Sequence, residues 1–157
     1  MRLIVPILLL LGLVAAGCGD SSDDGGGGGA TAPAASATVS TLEVVGYGKV
    51  LATSGRPLYL LSSDPAGGSR CTGKCTSTWS PLTAKGKPTA GPGVDSSKLA
   101  TFKRADGKTQ VLYDKHALYN HKGRGLVSGA GVKSDGGTWF LVAPSGKPIE
   151  STKRGDY

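Results

Sequence analysis

The chain has 157 residues with 18 basic and 11 acidic side chains, and 38% of it is hydrophobic. That length leaves room for one domain with a modest core rather than for several domains. Its 26 glycines and 9 prolines argue against long helices, and its net charge of +7 favours anionic partners.

At the N-terminus a single cation, Arg2, precedes an apolar run from Leu3 to Ala16, and the run closes on Ala15, Ala16 and Gly17 before Cys18. This is a secretory signal layout. The apolar run has 14 residues, whereas a helix needs about 20 to cross the hydrocarbon core. Residues 1–17 are therefore expected to be a signal peptide. Val14-Ala15-Ala16-Gly17-Cys18 resembles the lipobox of bacterial lipoproteins, which implies processing at Cys18 and covalent diacylglycerol on its thiol. Ala15 stands where leucine is usual, so the alternative is ordinary cleavage after an A-x-A-like site. Two acyl chains on one cysteine meet the requirement for stable anchoring. The address implied is an exported protein, lipid-anchored at the extracytoplasmic face of the cell membrane.

Residues 18–41 hold Asp20, Asp23, Asp24 and the glycines Gly25 to Gly29, followed by small polar residues. Such a composition buries no core and reads as a flexible tether with a reach of about 25 Å. Calcium at its aspartates would need oxygens held in a fixed cage, which nothing there supplies. The folded part is then 42–157, where 17 basic residues face eight acidic ones. Candidate partners are anionic headgroups, anionic wall polymers or acidic protein surfaces, with nucleic acid less favoured. The plain alternative is scattered lysines that keep an exported domain soluble.

Within this domain, glycine and proline separate short apolar or alternating runs: Val44 to Ala52, Pro57 to Leu61, Leu99 to Lys103, Thr109 to Tyr113, Ala117 to Asn120 and Thr138 to Ala143. These patterns predict strands. Asp106-Gly107 between two of them predicts a hairpin with a type I′ turn. The competing reading of that region is a helix over 108–122, with Leu112, His116 and Tyr119 on one face.

Compared with itself at an offset of 60, the domain aligns Leu58-Tyr59 with Leu118-Tyr119, Thr78-Trp79 with Thr138-Trp139, and Gly86-Lys87-Pro88 with Gly146-Lys147-Pro148. Two degenerate repeats follow, with halves of about 42–95 and 96–157. The fold class expected is all-β, a single small domain of short antiparallel strands and hairpins. The rings of Tyr59, Trp79, Tyr119 and Trp139 are expected in a shared core. The functional alternative makes these rings, with Asp64, a paired aromatic binding surface.

These residues resemble a family of predicted bacterial lipoproteins, the secreted repeat of unknown function marked by a Yx(FWY)xxD motif. The match runs through Gly55-Arg56-Pro57-Leu58-Tyr59 to Asp64, then Ser69-x-Cys71-x-Gly73-x-Cys75-x-x-x-Trp79-x-Pro81-Leu82, Arg104-x-Asp106-Gly107, Leu118-Tyr119 and Gly146. Leu61 departs from the motif's aromatic, and the second half lacks both the aromatic and the aspartate after Tyr119. The resemblance implies an exported, lipid-anchored repeat domain of unassigned activity and brings no catalytic residue.

Cys71 and Cys75 have no counterpart in the second half, where Gly131 and Asp135 stand at the same offset. Outside the cytoplasm such a pair is expected to oxidise to a structural disulfide. The competing class is a redox, metal or haem-handling protein that uses this pair with His116 and His121, the only histidines. Histidines five apart fall on opposite faces of a strand, so joint ligation would need a turn between them. No Walker A loop, G-x-S-x-G, H-E-x-x-H or G-x-G-x-x-G occurs. The reading is a non-catalytic binding or structural module of the cell envelope, with no cofactor beyond the lipid.

Overall fold

The computed structural model describes residues 36–150. The expected signal peptide, Cys18 and the tether as far as residue 35 lie outside them. The described residues are nearly all β, in short strands: β1 (Thr38–Val44), β2 (Gly48–Thr53), β3 (Arg56–Pro57), β4 (Tyr59–Leu61), β5 (Trp79–Pro81), β6 (Thr89–Ala90), β7 (Leu99–Lys103), β8 (Thr109–Tyr113), β9 (His116–Ala117), β10 (Tyr119–His121), β11 (Lys133–Ser134), β12 (Gly137–Val142) and β13 (Pro148–Ile149). One helical turn, α1 (Cys75–Thr78), and a 3-10 turn at Ser96–Lys98 complete the set. Among the described residues, no helix is long and apolar enough to cross a membrane.

The offset of 60 governs the backbone pairing as well as the sequence. In β1–β2, Ser40 faces Ala52 and Thr41 faces Leu51; in β7–β8, Ala100 faces Leu112 and Thr101 faces Val111. Ala52 opposite Pro57 recurs as Leu112 opposite Ala117. The central sheet runs β11-β12-β4-β10-β5, so from β12 to β5 strands of the second and first halves alternate. Trp139 faces Leu61 on β12–β4 while Trp79 faces His121 on β5–β10, the same pairing with the halves exchanged. Tyr59 and Tyr119 face each other at the middle. The halves are thus related by an approximate two-fold and interlock, each lending a strand to the other's sheet.

Period-two alternation divides the core in two. Tyr59 and Leu61 point into one cluster with Trp79, Tyr119, Trp139 and Leu141. Leu58 and Leu60 point into the other, which contains Leu51, Val111, Leu118, Leu82 and Val142. Three pairs in this second cluster, Leu51 with Val111, Leu58 with Leu118 and Leu82 with Val142, again stand 60 apart. Two of those pairs match Leu with Val, apolar residues that differ by one methylene, and so leave no identity in the sequence.

Several expectations need correction. The domain begins before residue 42: β1 starts at Thr38, and Val39 is fully buried. The run Val44 to Ala52 is not one strand but the end of β1, a reversal at Val45–Tyr47 and β2, with Gly46 at φ 82°. The helix over 108–122 does not form, because Leu112, Ala117 and Tyr119 sit on three strands. The Asp106-Gly107 hairpin exists, but only Gly107 has positive φ, at 80°. A type I′ turn needs it at both central residues. Here the Gly107 amide donates to the Arg104 carbonyl at 3.0 Å, and Asp106 Oδ1 accepts from the Lys108 amide at 3.1 Å, which holds a wider loop. Paired positive φ values occur instead at Ser54-Gly55, Asp114-Lys115 and Asp135-Gly136.

Candidate functional site

The aromatic residues define the centre of the molecule. Trp79 and Trp139 stack with centroids 3.8 Å apart and an interplanar angle of 8°. Tyr59 meets Trp79 edge-on at 5.3 Å, and Tyr119 meets Trp139 edge-on at 5.0 Å. All four are at most 1% exposed. This corrects the paired aromatic binding surface: an apolar face of that size is stabilised by burial against its own repeat partner, so the rings form core. His121 takes the place on Trp79 that Leu61 takes on Trp139, at a centroid distance of 4.4 Å. The second half therefore carries a ring, an imidazole, at the offset of Leu61.

Asp64 lies at the edge of this core and serves the other half. Its Oδ2 accepts from the Tyr119 hydroxyl at 2.6 Å, and its Oδ1 from the Arg70 amide at 2.6 Å. The Tyr119 hydroxyl also lies 2.6 Å from Ser69 Oγ. A phenol has one proton, so with that proton on Asp64 the serine is the donor in the second contact. Ser69 Oγ in turn accepts from Arg104 Nη1 at 3.0 Å and from the Cys71 amide at 3.2 Å. The result is a polarised chain from guanidinium through two hydroxyls to carboxylate, each bond strengthening the next.

Arg104 anchors the other end. It is buried, and donates through Nη1 to Gln110 Oε1 at 2.5 Å, through Nη2 to the Cys71 carbonyl at 2.7 Å and through Nε to Asp106 at 3.3 Å. Gln110, fully buried, donates from Nε2 to the Leu118 carbonyl at 2.8 Å. No buried side-chain nitrogen or oxygen among the described residues lacks a partner. Sequence reading did not single out Ser69, Arg104 or Gln110 as a unit. Arg104 lies in a turn that reads as solvated, and only the fold brings Ser69 to it from 35 positions away.

Burial sets the ionisation of the set. It raises the Asp64 carboxyl above the usual carboxylate value against the opposing pull of the Arg70 and Tyr119 hydrogen bonds. It also pushes the Tyr119 phenol far up, helped by the neighbouring Asp64. Tyr119 thus stays a donor. Burial lowers the His121 imidazole, with Arg56 contributing in the same direction. That ring is held by Ser128 Oγ at 3.0 Å from Nδ1.

Cys71 and Cys75 stand at disulfide distance, with Cα atoms 5.3 Å apart, and Cys75 opens α1. His116 is on β9 in the three-stranded β7-β8-β9 sheet, while His121 is on β10 of the central sheet. Among the described residues, no three side chains of His, Cys, Asp or Glu are grouped so as to hold a metal. The structure therefore brings Asp64, Tyr119 and the cysteine loop together through Ser69 and Arg104, and keeps the two histidines in separate sheets. No family model, curated protein or solved structure matches this chain.

Proposed function

We propose that the chain is an exported lipoprotein precursor anchored through diacylglycerol on Cys18, and that its β domain is a non-catalytic binding or structural module of the cell envelope. The observation that carries the module reading is the hydrogen-bond chain Arg104–Ser69–Tyr119–Asp64. Its polar groups tie one half to the other, so that Asp64 of the first half and Tyr119 of the second have an architectural task. The resemblance to the lipoprotein repeat with the Yx(FWY)xxD motif rests on those same residues.

Cysteine usage supports the address. With Cys71 and Cys75 paired, Cys18 is the third and odd cysteine of the chain, and acylation removes what would otherwise be a spare thiol in an oxidising compartment. The test is the intact mass of the detergent-extracted protein from a bacterial host. A mature chain starting at residue 18 with diacylglycerol on the cysteine is expected, and Cys18→Ala should release the protein from the membrane fraction. A mature N-terminus elsewhere, or an unmodified Cys18, would overturn the anchor. Two free thiols with bound metal would overturn the module.

A further inference from the structure

The approximate two-fold breaks on one side of the molecule, and there the surface turns basic. Arg124 occupies the position that Asp64 has in the first half, Gly129 that of Ser69, and Lys122 that of Ser62. Without the capping carboxylate, the Tyr59 hydroxyl donates to the Leu126 carbonyl at 3.3 Å. Two adjoining depressions lie over this loop. One, of about 500 Å³, is lined by Arg56, Lys122, Arg124 and Leu126 among others. The other, of about 340 Å³, shares Arg56 and Lys122 and adds His121. Among the described residues, no acidic one lines either.

Two of these cations are held by carbonyls that do not neutralise them. Arg56 Nη2 donates to the His121 carbonyl at 2.7 Å, and Lys122 Nζ to the Thr76 carbonyl at 2.9 Å. A carbonyl carries no net charge, and each cation keeps further donors for a ligand. Among the described residues, ion pairs form at Lys98–Asp114 and Arg104–Asp106 and none involves these three cations. Beside them Leu126 is 52% exposed, one of three exposed large hydrophobic side chains among the described residues. Guanidinium and ammonium groups placed together without acids match phosphate oxygens. An exposed leucine among them suits the boundary between headgroups and acyl chains better than a fully aqueous polyanion.

We propose that this surface, built on Arg56, Lys122, Arg124 and Leu126, is where the domain lies against the phosphate headgroups of an anionic bilayer. The proposal deepens the anchored reading above, and rests on it for the proximity of headgroups. The two fail separately, because the experiment uses a chain that cannot be acylated. The chain from residue 18 onward with Cys18→Ser keeps every described residue and is mixed with phosphatidylglycerol-containing vesicles or with pure phosphatidylcholine vesicles, then sedimented at low and high salt.

Salt-sensitive binding to the anionic vesicles alone is expected. Arg56→Gln, Lys122→Gln and Arg124→Gln together should weaken it about 100-fold, at about fivefold per cation. The same charge loss through Lys85→Gln, Lys87→Gln and Lys133→Gln, which line neither depression, should change it less than about threefold. Leu126→Ser should weaken binding several-fold without changing its salt dependence. Near-ultraviolet circular dichroism confirms that each variant is folded. Equal loss in both triple variants, equal binding to neutral vesicles, no vesicle binding, or tighter retention by a soluble poly(glycerol phosphate) than by vesicles would each overturn the proposal.

Discussion

Trp79 and Trp139, sixty residues apart, stack nearly parallel at 3.8 Å across the approximate two-fold, so the same side chain from each half makes both sides of one contact. Tyr59 and Tyr119 meet the stack edge-on, and the tilted His121 ring lies 4.4 Å from Trp79. Trp79→Ala and Trp139→Ala are each expected to lower stability by about 3–5 kcal/mol. The double variant should cost less than the sum, because one lost stack is counted twice. Urea unfolding checks this, and losses below about 1 kcal/mol would mean that the rings are not core.

The interlocked sheet predicts that the repeats are not independent folding units. Strand β4 of the first half lies between β12 and β10 of the second, and β10 lies between β4 and β5. A fragment of residues 36–93 would expose both edges of β4, and one of residues 94–150 would leave β10 and β12 without their shared partner. Such edges are not stable alone. Circular dichroism should show each fragment unfolded by itself and strand signal appearing on mixing. Cooperative unfolding of either fragment alone would contradict the interlocking.

The repeat was legible because large residues keep their identity: Leu-Tyr and Thr-Trp recur at a fixed offset, and a Tyr or Trp in a shared core tolerates little change. What the offset means in space was not legible. Nothing local to Tyr59 or Trp139 says that each pairs into the other half. The start of β1 was hidden because Thr38, Ser40 and Thr41 continue the small polar composition of the preceding segment, and among residues 38–41 only Val39 is buried. The turn at Asp114-Lys115, with Lys115 at φ 69°, has no glycine to announce it. Asp64 was visible in the sequence, but its partner Tyr119 lies 55 positions away, in the half that has Arg124 at the corresponding offset.

Asp64 makes the stability depend on pH in a defined direction. Its folded carboxyl titrates above the ordinary value of 3.8, so the folded state binds the proton more readily than the unfolded chain. Its contribution to stability is therefore fully present below 3.8 and declines as pH rises through the raised folded value, after which it is constant. The difference in unfolding free energy between the native chain and Asp64→Asn should fall with pH in that window. A difference that rises there would show that the hydrogen bonds outweigh burial. Tyr119→Phe, which removes a donor from a carboxylate, should cost about 1.5–3 kcal/mol near neutral pH, and most of that loss should disappear in the Asp64→Ala background, which has no side-chain acceptor.

The cysteine pair stands where the two halves differ most. In the second half Trp139 is backed by the β11–β12 hairpin, with the Gly131 amide donating to the Trp139 carbonyl at 2.9 Å and the indole donating to Ser134 Oγ at 3.0 Å. In the first half that hairpin is replaced by α1, and Cys71, at the offset of Gly131, places its sulfur 4.0 Å from the Trp79 carbonyl. The link to Cys75 thus does for Trp79 what strand pairing does for Trp139, and it also fixes the Cys71 carbonyl that accepts from Arg104. Cys71→Ala with Cys75→Ala should cost about 2 kcal/mol by the loop-closure relation for so short a span, and reductant should cost the native chain a similar amount. Amide exchange should accelerate first at Ser77 and Trp79, ahead of Gly131 and Trp139. Two titratable thiols at these positions without reductant, or equal protection of the two tryptophan segments after reduction, would show that the helical turn holds Trp79 without the link.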